Sequence, residues 1–360
     1  DMTNVDLLIF GSGSLTRSLV MALAGHQQES PTVMLAGRNE AALSSIAFLG
    51  RVRAAALGCA ISISLVACDY SKASLEQLFA QVRPRIVLML ASMQSPWDMR
   101  PRWRRLVQAT GYSLTIPLQT ILAESVFRMA QLQHPHAILI NGCYPDIVNH
   151  VLLKRGIKLD GGIGNVAILA SVLQTFYPNR ALRLIAHHAH IAAMISGTWE
   201  GVALPHIWLD NLRVPEDRFG KILRSISLPS DRSLNAVTGS TAVPMLEALA
   251  GRSSSWQGHA PGVHGLVGGY PVFADSTGLH LDIPHELSLD EAIALNREYC
   301  RCDGLVIQDD TYRLAKTADE IKCATGVQLP HAILEWKANG LEDQVGRLIS
   351  LRLALNVETG

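Results

Sequence analysis

Between an apolar run at residues 5–10, broken only by Asp6, and a helically spaced segment at 15–23 lies Gly11-Ser12-Gly13-Ser14-Leu15-Thr16. A strand that runs into a glycine turn and then into a helix leaves little choice of architecture. Gly11 permits the tight turn, and Gly13 lets a ligand approach the backbone. The helix start offers free N–H groups and the positive end of its dipole. Thr16 stands where the third glycine of this pattern usually falls. The arrangement predicts a βα unit that holds a pyrophosphate, with Gly11, Ser12, Gly13, Ser14, Leu15 and Thr16 around it.

The rest of the first half keeps that rhythm. Apolar strands are expected at 32–36, 61–67, 86–90 and 136–140, and helices at 40–57, 74–81 and 120–131. Alternation of this kind means parallel pairing and a doubly wound sheet. After Pro145 the connections lengthen. A strand leading into a loop is read at 183–195, strands at 206–210 and 279–283, and helices at 242–250 and 288–302. A strand pair is read at 304–314, and helical periodicity at 332–355. The fold class expected is therefore α/β, an N-terminal Rossmann domain at 1–150 with a second α+β domain at 151–330. A C-terminal helix within 331–360 would pack back on the first domain. The cluster Gly161-Gly162-Ile163-Gly164-Asn165 reads as a tight crossover between domains, and Thr238-Gly239-Ser240-Thr241 as a helix start.

The end of the second strand bears on the dinucleotide. A carboxylate there binds a ribose 2′-hydroxyl, whereas a 2′-phosphate needs the acid absent and a guanidinium present. The segment is Gly37-Arg38-Asn39, so NADP is the expected cofactor, with Arg38 stacking on the adenine and pairing with the phosphate. An ordinary solvated loop arginine is the plain alternative. Asp69 and Tyr70 end the third strand and are candidates to edge the adenine, or simply to make a turn. Ser92 and Gln94 follow the fourth strand and are expected at the nicotinamide end.

Ligands of doubly wound sheets lie beyond the carboxyl ends of the strands. That makes Tyr144 and Asp146, after the strand at 136–140, candidates for orienting substrate or moving protons, although Pro145-Asp146 equally reads as a helix start. Cys143 reads as a small buried thiol. A second cluster, His187-His188-Ala189-His190, precedes Ser196-Gly197-Thr198. Histidine exchanges protons near neutral pH without large tuning. On a strand, His188 and His190 share one face and His187 takes the other. His188 and His190 are thus the candidate proton-transfer residues, and His187, Ser196, Gly197 and Thr198 the candidate substrate contacts.

The His-His pair with its following Ser-Gly-Thr resembles the substrate loop of dihydrodipicolinate reductases, in which a histidine acts in proton donation and Ser-Gly-Thr binds a carboxylate. Ile191 and Ala193 stand where that family has a lysine and an aspartate. More broadly, residues 11–16, Gly37-Arg38-Asn39 and Gly268-Gly269-Tyr270-Pro271-Val272 resemble saccharopine dehydrogenase-like and opine dehydrogenase-like NADP-binding oxidoreductases. The resemblance implies hydride transfer between NADPH and a C=N bond in an amino-acid-derived imine. An NADPH-dependent carbonyl reductase and a non-catalytic NADPH-sensing protein are the alternative readings.

Composition trims the remaining classes. With 31 basic and 31 acidic side chains among 360 residues, the chain carries no electrostatic footprint for nucleic acid or an anionic membrane. No apolar stretch nears the roughly 18–20 residues that span a bilayer. Six scattered cysteines suit reduced thiols, and the Cys300/Cys302 pair lacks companion ligands at zinc spacing, so no metal is expected. The expected setting is cytoplasmic and the partner a small-molecule substrate, with a homodimer as the assembly the sequence leaves open.

Overall fold

The computed structural model describes residues 2–27 and 30–357. The first half comprises β1 (Thr3–Phe10), α1 (Ser14–Leu23), β2 (Val33–Gly37), α2 (Glu40–Ala56), β3 (Ile63–Ala67), α3 (Lys72–Gln81), β4 (Val82–Met89), α4 (Pro101–Thr110), α5 (Ile116–Gln133), β5 (Ile138–Asn141) and α6 (Pro145–Lys154). Next come β6 (Gly161–Gly162), α7 (Val166–Phe176), β7 (Leu182–Ile185), α8 (His188–Ser196), β8 (His206–Leu209), β9 (Leu212–Arg213), α9 (Glu216–Ser225) and α10 (Leu234–Leu249). The chain ends through β10 (Trp256–Pro261), β11 (Gly269–Asp275), β12 (Gly278–Leu281), α11 (Leu289–Cys302), β13 (Leu305–Gln308), β14 (Thr311–Leu314), α12 (Ala318–Thr325), α13 (His331–Leu334), β15 (Glu335–Lys337) and α14 (Leu341–Val357).

Six strands form one parallel sheet in the order β3-β2-β1-β4-β5-β6, so the winding reverses between β1 and β4. Leu7, Leu8, Ile9 and Phe10 of β1 are fully buried, as a central parallel strand covered on both faces requires. One face packs Phe10, Phe79, Trp103 and Phe127. The other packs Leu19, Leu43, Met245 and Tyr270. Three small antiparallel sheets, β7-β8-β9, β10-β11-β12 and β13-β14-β15, make up the second domain. This is the α/β Rossmann architecture with an appended α+β part.

Some elements differ from the sequence expectation. The parallel sheet continues past residue 150 to β6, and α10 lies along α1. The strand read over 183–195 stops at Ile185, and the histidines open α8 instead. Thr238-Gly239-Ser240-Thr241 does not start a helix but sits inside α10, which begins four residues earlier. The periodic stretch 332–355 is interrupted by β15. Its last helix, α14, packs on α4 and α5, and residues 358–360 of that expected segment lie outside the described residues. Among the described residues no helix is long and apolar enough to cross a membrane.

Candidate functional site

The loops at the carboxyl ends of β1, β2 and β4 meet where the sheet order reverses. Gly11 has φ +132°, and a side chain there would press on the Leu90 carbonyl carbon at 3.1 Å. Gly13, the N-cap of α1, has no side-chain cap below it, and a Cβ there would meet nothing within 4 Å. That open volume beside a helix start fits a pyrophosphate. Ser14 accepts a hydrogen bond from Asn235 Nδ2 at 2.7 Å, which ties the start of α10 to this loop. Ser12 and Leu15 are half-buried, and Thr16 is fully buried with its hydroxyl unpaired.

Arg38 is exposed after β2, with its guanidinium carbon 5.7 Å from the centre of the Tyr70 ring. Burial pushes the Tyr70 phenol up to about 12. No carboxylate separates Gly37 from Glu40, and Asn39 is committed to capping α2 by accepting from Ala42 N at 3.0 Å. Asp69 is exposed and makes a turn: its carboxylate accepts from Ser71, and those hydrogen bonds hold it below the usual carboxylate range. After β4, Ser92 Oγ donates to Gln94 O at 2.6 Å. Gln94 itself turns into the protein, where its Oε1 accepts from Trp103 Nε1 at 2.9 Å and Arg352 Nη1 at 3.0 Å.

Histidine is not a usual helix cap, yet His187 opens α8. Its Nδ1 accepts from Ala189 N at 3.2 Å, and its own N–H donates to His190 Nδ1 at 3.0 Å. His190 Nε2 meets Ala203 O at 2.9 Å. Both ring nitrogens of His190 are therefore held by backbone, and burial drives its pKa down to about 3. His188 and His190 do not share a face, because two helical steps of about 100° put them on opposite sides. The structure thus takes His190 away from His188 and turns both of its ring nitrogens onto backbone groups. Ser196, Gly197 and Thr198 are likewise separated from the histidines. They end α8 about 12 Å along its axis, where Gly197 is left-handed at φ +71° and Thr198 N donates to Ser196 Oγ at 3.2 Å.

His188 is the member that faces a cluster. Its Nδ1 lies 2.8 Å from Asp303 Oδ2, and its backbone N–H donates to Asp146 Oδ1 at 2.9 Å. Tyr144 also donates to Asp303 Oδ2, and Asn165 Nδ2 donates to Asp146. The ring of Tyr112 stacks on His188 with centroids 5.2 Å apart, while Tyr144 meets it edge-on at 4.8 Å. Burial alone would lower the His188 pKa. The charge and hydrogen bond of Asp303, with Asp146 behind, outweigh it and raise the pKa above the ordinary value. Burial works against the Asp303 carboxylate, but His188, His187 and Tyr144 together bring it below its ordinary range. The second ring nitrogen of His188 makes no hydrogen bond among the described residues, so it is the one available to exchange a proton. Burial, then Asp303, keeps the Tyr144 phenol well above its ordinary value, and burial pushes the Cys143 thiol up to about 12.

Asp146 is fully buried and acts here as an acceptor that positions α8. Asp303 and Tyr112 were not legible in the sequence. Asp303 falls between the helix read at 288–302 and the strand pair read at 304–314, and its histidine partner is 115 residues away. Among the described residues no three of His, Cys, Asp and Glu are grouped to hold a metal.

No known family model matches the chain, and no curated protein is similar to it in sequence. Solved structures do resemble it. The lactate dehydrogenase of Cryptosporidium parvum, solved with lactic acid and NAD, is 13% identical, covers 92% of this chain and 99% of its own, and gives a TM-score of 0.50. The malate dehydrogenase of Picrophilus torridus is 11% identical over 84% of this chain and 98% of its own, with a TM-score of 0.52. That of Aeropyrum pernix is 14% identical over 90% and 99%, with a TM-score of 0.51. At this identity the shared property is the fold alone, over 84–92% of the chain.

Proposed function

We propose that this chain is an NADP(H)-dependent oxidoreductase in which His188, held by Asp303, exchanges a proton with the heteroatom of the bond that is reduced or oxidised. The observation that carries the reading is the His188–Asp303 pair, whose free ring nitrogen belongs to a histidine with a raised pKa. The bound nicotinamide would supply or accept the hydride. The glycine loop, with its open volume at Gly13, would hold the pyrophosphate, and Arg38 over Tyr70 the 2′-phosphate side. A raised pKa favours the protonated imidazole, the form that serves as the acid of a reduction.

The sequence resemblances favour a C=N bond in an amino-acid-derived imine as the target. A second reading, a carbonyl or its alcohol, draws on the similarly built lactate and malate dehydrogenases. NADPH oxidation measured with cyclic imines, with keto acid and amine pairs, and with 2-keto acids alone separates the two. Turnover only with imine-forming mixtures supports the first and turnover with keto acids alone the second. Absence of NADPH binding sinks both.

A further inference from the structure

The loop after β4 borders a cavity of about 190 Å³ walled by Gln94, Asp98, Arg100, Trp103, Arg352 and Asn356. Its charge is lopsided. Asp98 is already paired with Arg232. Among the described residues, neither Arg100 nor Arg352 has an acidic partner. Arg352 comes in from α14 and spends one guanidinium nitrogen on neutral acceptors, Met93 O at 2.8 Å and Gln94 Oε1 at 3.0 Å. A partly desolvated guanidinium without a counter-charge is costly, and arginine cannot relieve that cost by losing its proton. An oxyanion would, and the arginine fork suits a carboxylate or a phosphate. At about 30 Å³ per water the cavity has room for roughly six waters, which admits a small head group.

We propose that this cavity binds the oxyanion of a small carboxylate or phosphate metabolite between Arg100 and Arg352. The position gives such binding a route to the histidine site. Gln94 O accepts from Gln119 Nε2 at 3.0 Å, Gln119 Nε2 meets Tyr112 OH at 2.6 Å, and the Tyr112 ring stacks on His188. An anion on Arg352 therefore stiffens the loop that supports the Tyr112 ring.

The test uses the full chain at constant ionic strength, with chloride as the balancing salt. Calorimetric titration and thermal melting are run with inorganic phosphate and, separately, malonate. Saturable binding of one or both is expected, and whichever binds identifies the source of the oxyanion. Arg100→Gln, an exposed change, and Arg352→Gln should each weaken it at least about tenfold, the loss of one charge-assisted hydrogen bond. Arg352→Lys, which keeps the charge while guarding the fold, should weaken it less than Arg352→Gln. Gly13→Val should leave it unchanged. No saturable binding of either probe overturns the proposal. So does binding indifferent to both arginines, or binding lost in Gly13→Val, which would move the anion to the glycine loop.

Discussion

His188 differs from an ordinary surface histidine in having one nitrogen fixed by a buried carboxylate and the other left open. That asymmetry sets what its replacement should do. General acid catalysis is typically worth about 10²–10⁴-fold, so His188→Ala should lower turnover by that order while NADPH affinity holds. Asp303→Asn is the sharper experiment. Without the carboxylate charge, the desolvation that opposes His188 protonation prevails and its pKa falls. In the reductive direction, activity declines as pH rises through that pKa, so the decline should move to lower pH in Asp303→Asn. An unmoved profile would mean that His188 is not the titrating acid. In the proposed function a different side chain, Arg38, selects the cofactor. Arg38→Ala should erase most of an NADPH preference of about tenfold, or about 1.4 kcal/mol, and barely alter NADH binding. Equal weakening of both would make Arg38 a general contact rather than a reader of the 2′-phosphate.

Helices α1 and α10 approach closely because Gly239 has no side chain: a Cβ there would sit 2.9 Å from Leu19 N and from Ser18 C, both backbone. Backbone cannot swing aside as a side chain can. Gly239→Ala should therefore cost about 1–3 kcal/mol, the usual range for overpacking, and lower the melting temperature. Because α10 also bonds Ser14 through Asn235, dinucleotide affinity should fall with it. A variant that melts and binds like the parent would show that the helices can part freely. The same elements explain what could be read beforehand. Buried parallel strands give continuous apolar runs, and β1, β2 and β5 announced themselves in that way. Helix α4 did not: Arg100, Arg102, Arg104 and Arg105 crowd the segment around Trp103, Leu106 and Val107, and the apolar face is only three residues wide. Helix α8 was misread because a histidine replaces the Ser, Thr, Asp or Asn that normally signals a start. His188 could be singled out from sequence by type. Its partner could not, since only the folded end of α11 brings Asp303 to it.

Across the whole molecule, histidine burial sets the response to acid. His259 accepts from Leu184 N at 2.9 Å, and His150 meets Tyr312 OH at 2.8 Å. Burial brings their pKa values down to about 3 and about 4, and that of His190 to about 3. In the unfolded chain each returns to about 6.5. Between those limits the unfolded state binds protons that the folded state refuses, so stability falls as pH falls, by up to about 1.4 kcal/mol per pH unit for each group. His188 and Asp303 run the other way. With its folded pKa raised, His188 contributes fully below about 6.5 and loses its contribution as pH rises through the folded value. Asp303, with its folded pKa lowered, contributes above about 3.9 and loses that only as pH falls through its own folded value. From pH 7 down to 5, these three neutral histidines, joined by His187 and His206, whose pKa values burial also lowers, therefore oppose one favourable pair. The urea midpoint should drop steeply over that interval. His259→Gln should reduce the slope by about 1.4 kcal/mol per unit at most, whatever it does to stability at pH 7. A midpoint that stays level from pH 7 to 5, or a slope untouched by His259→Gln, would show that these imidazoles are not buried neutral in solution.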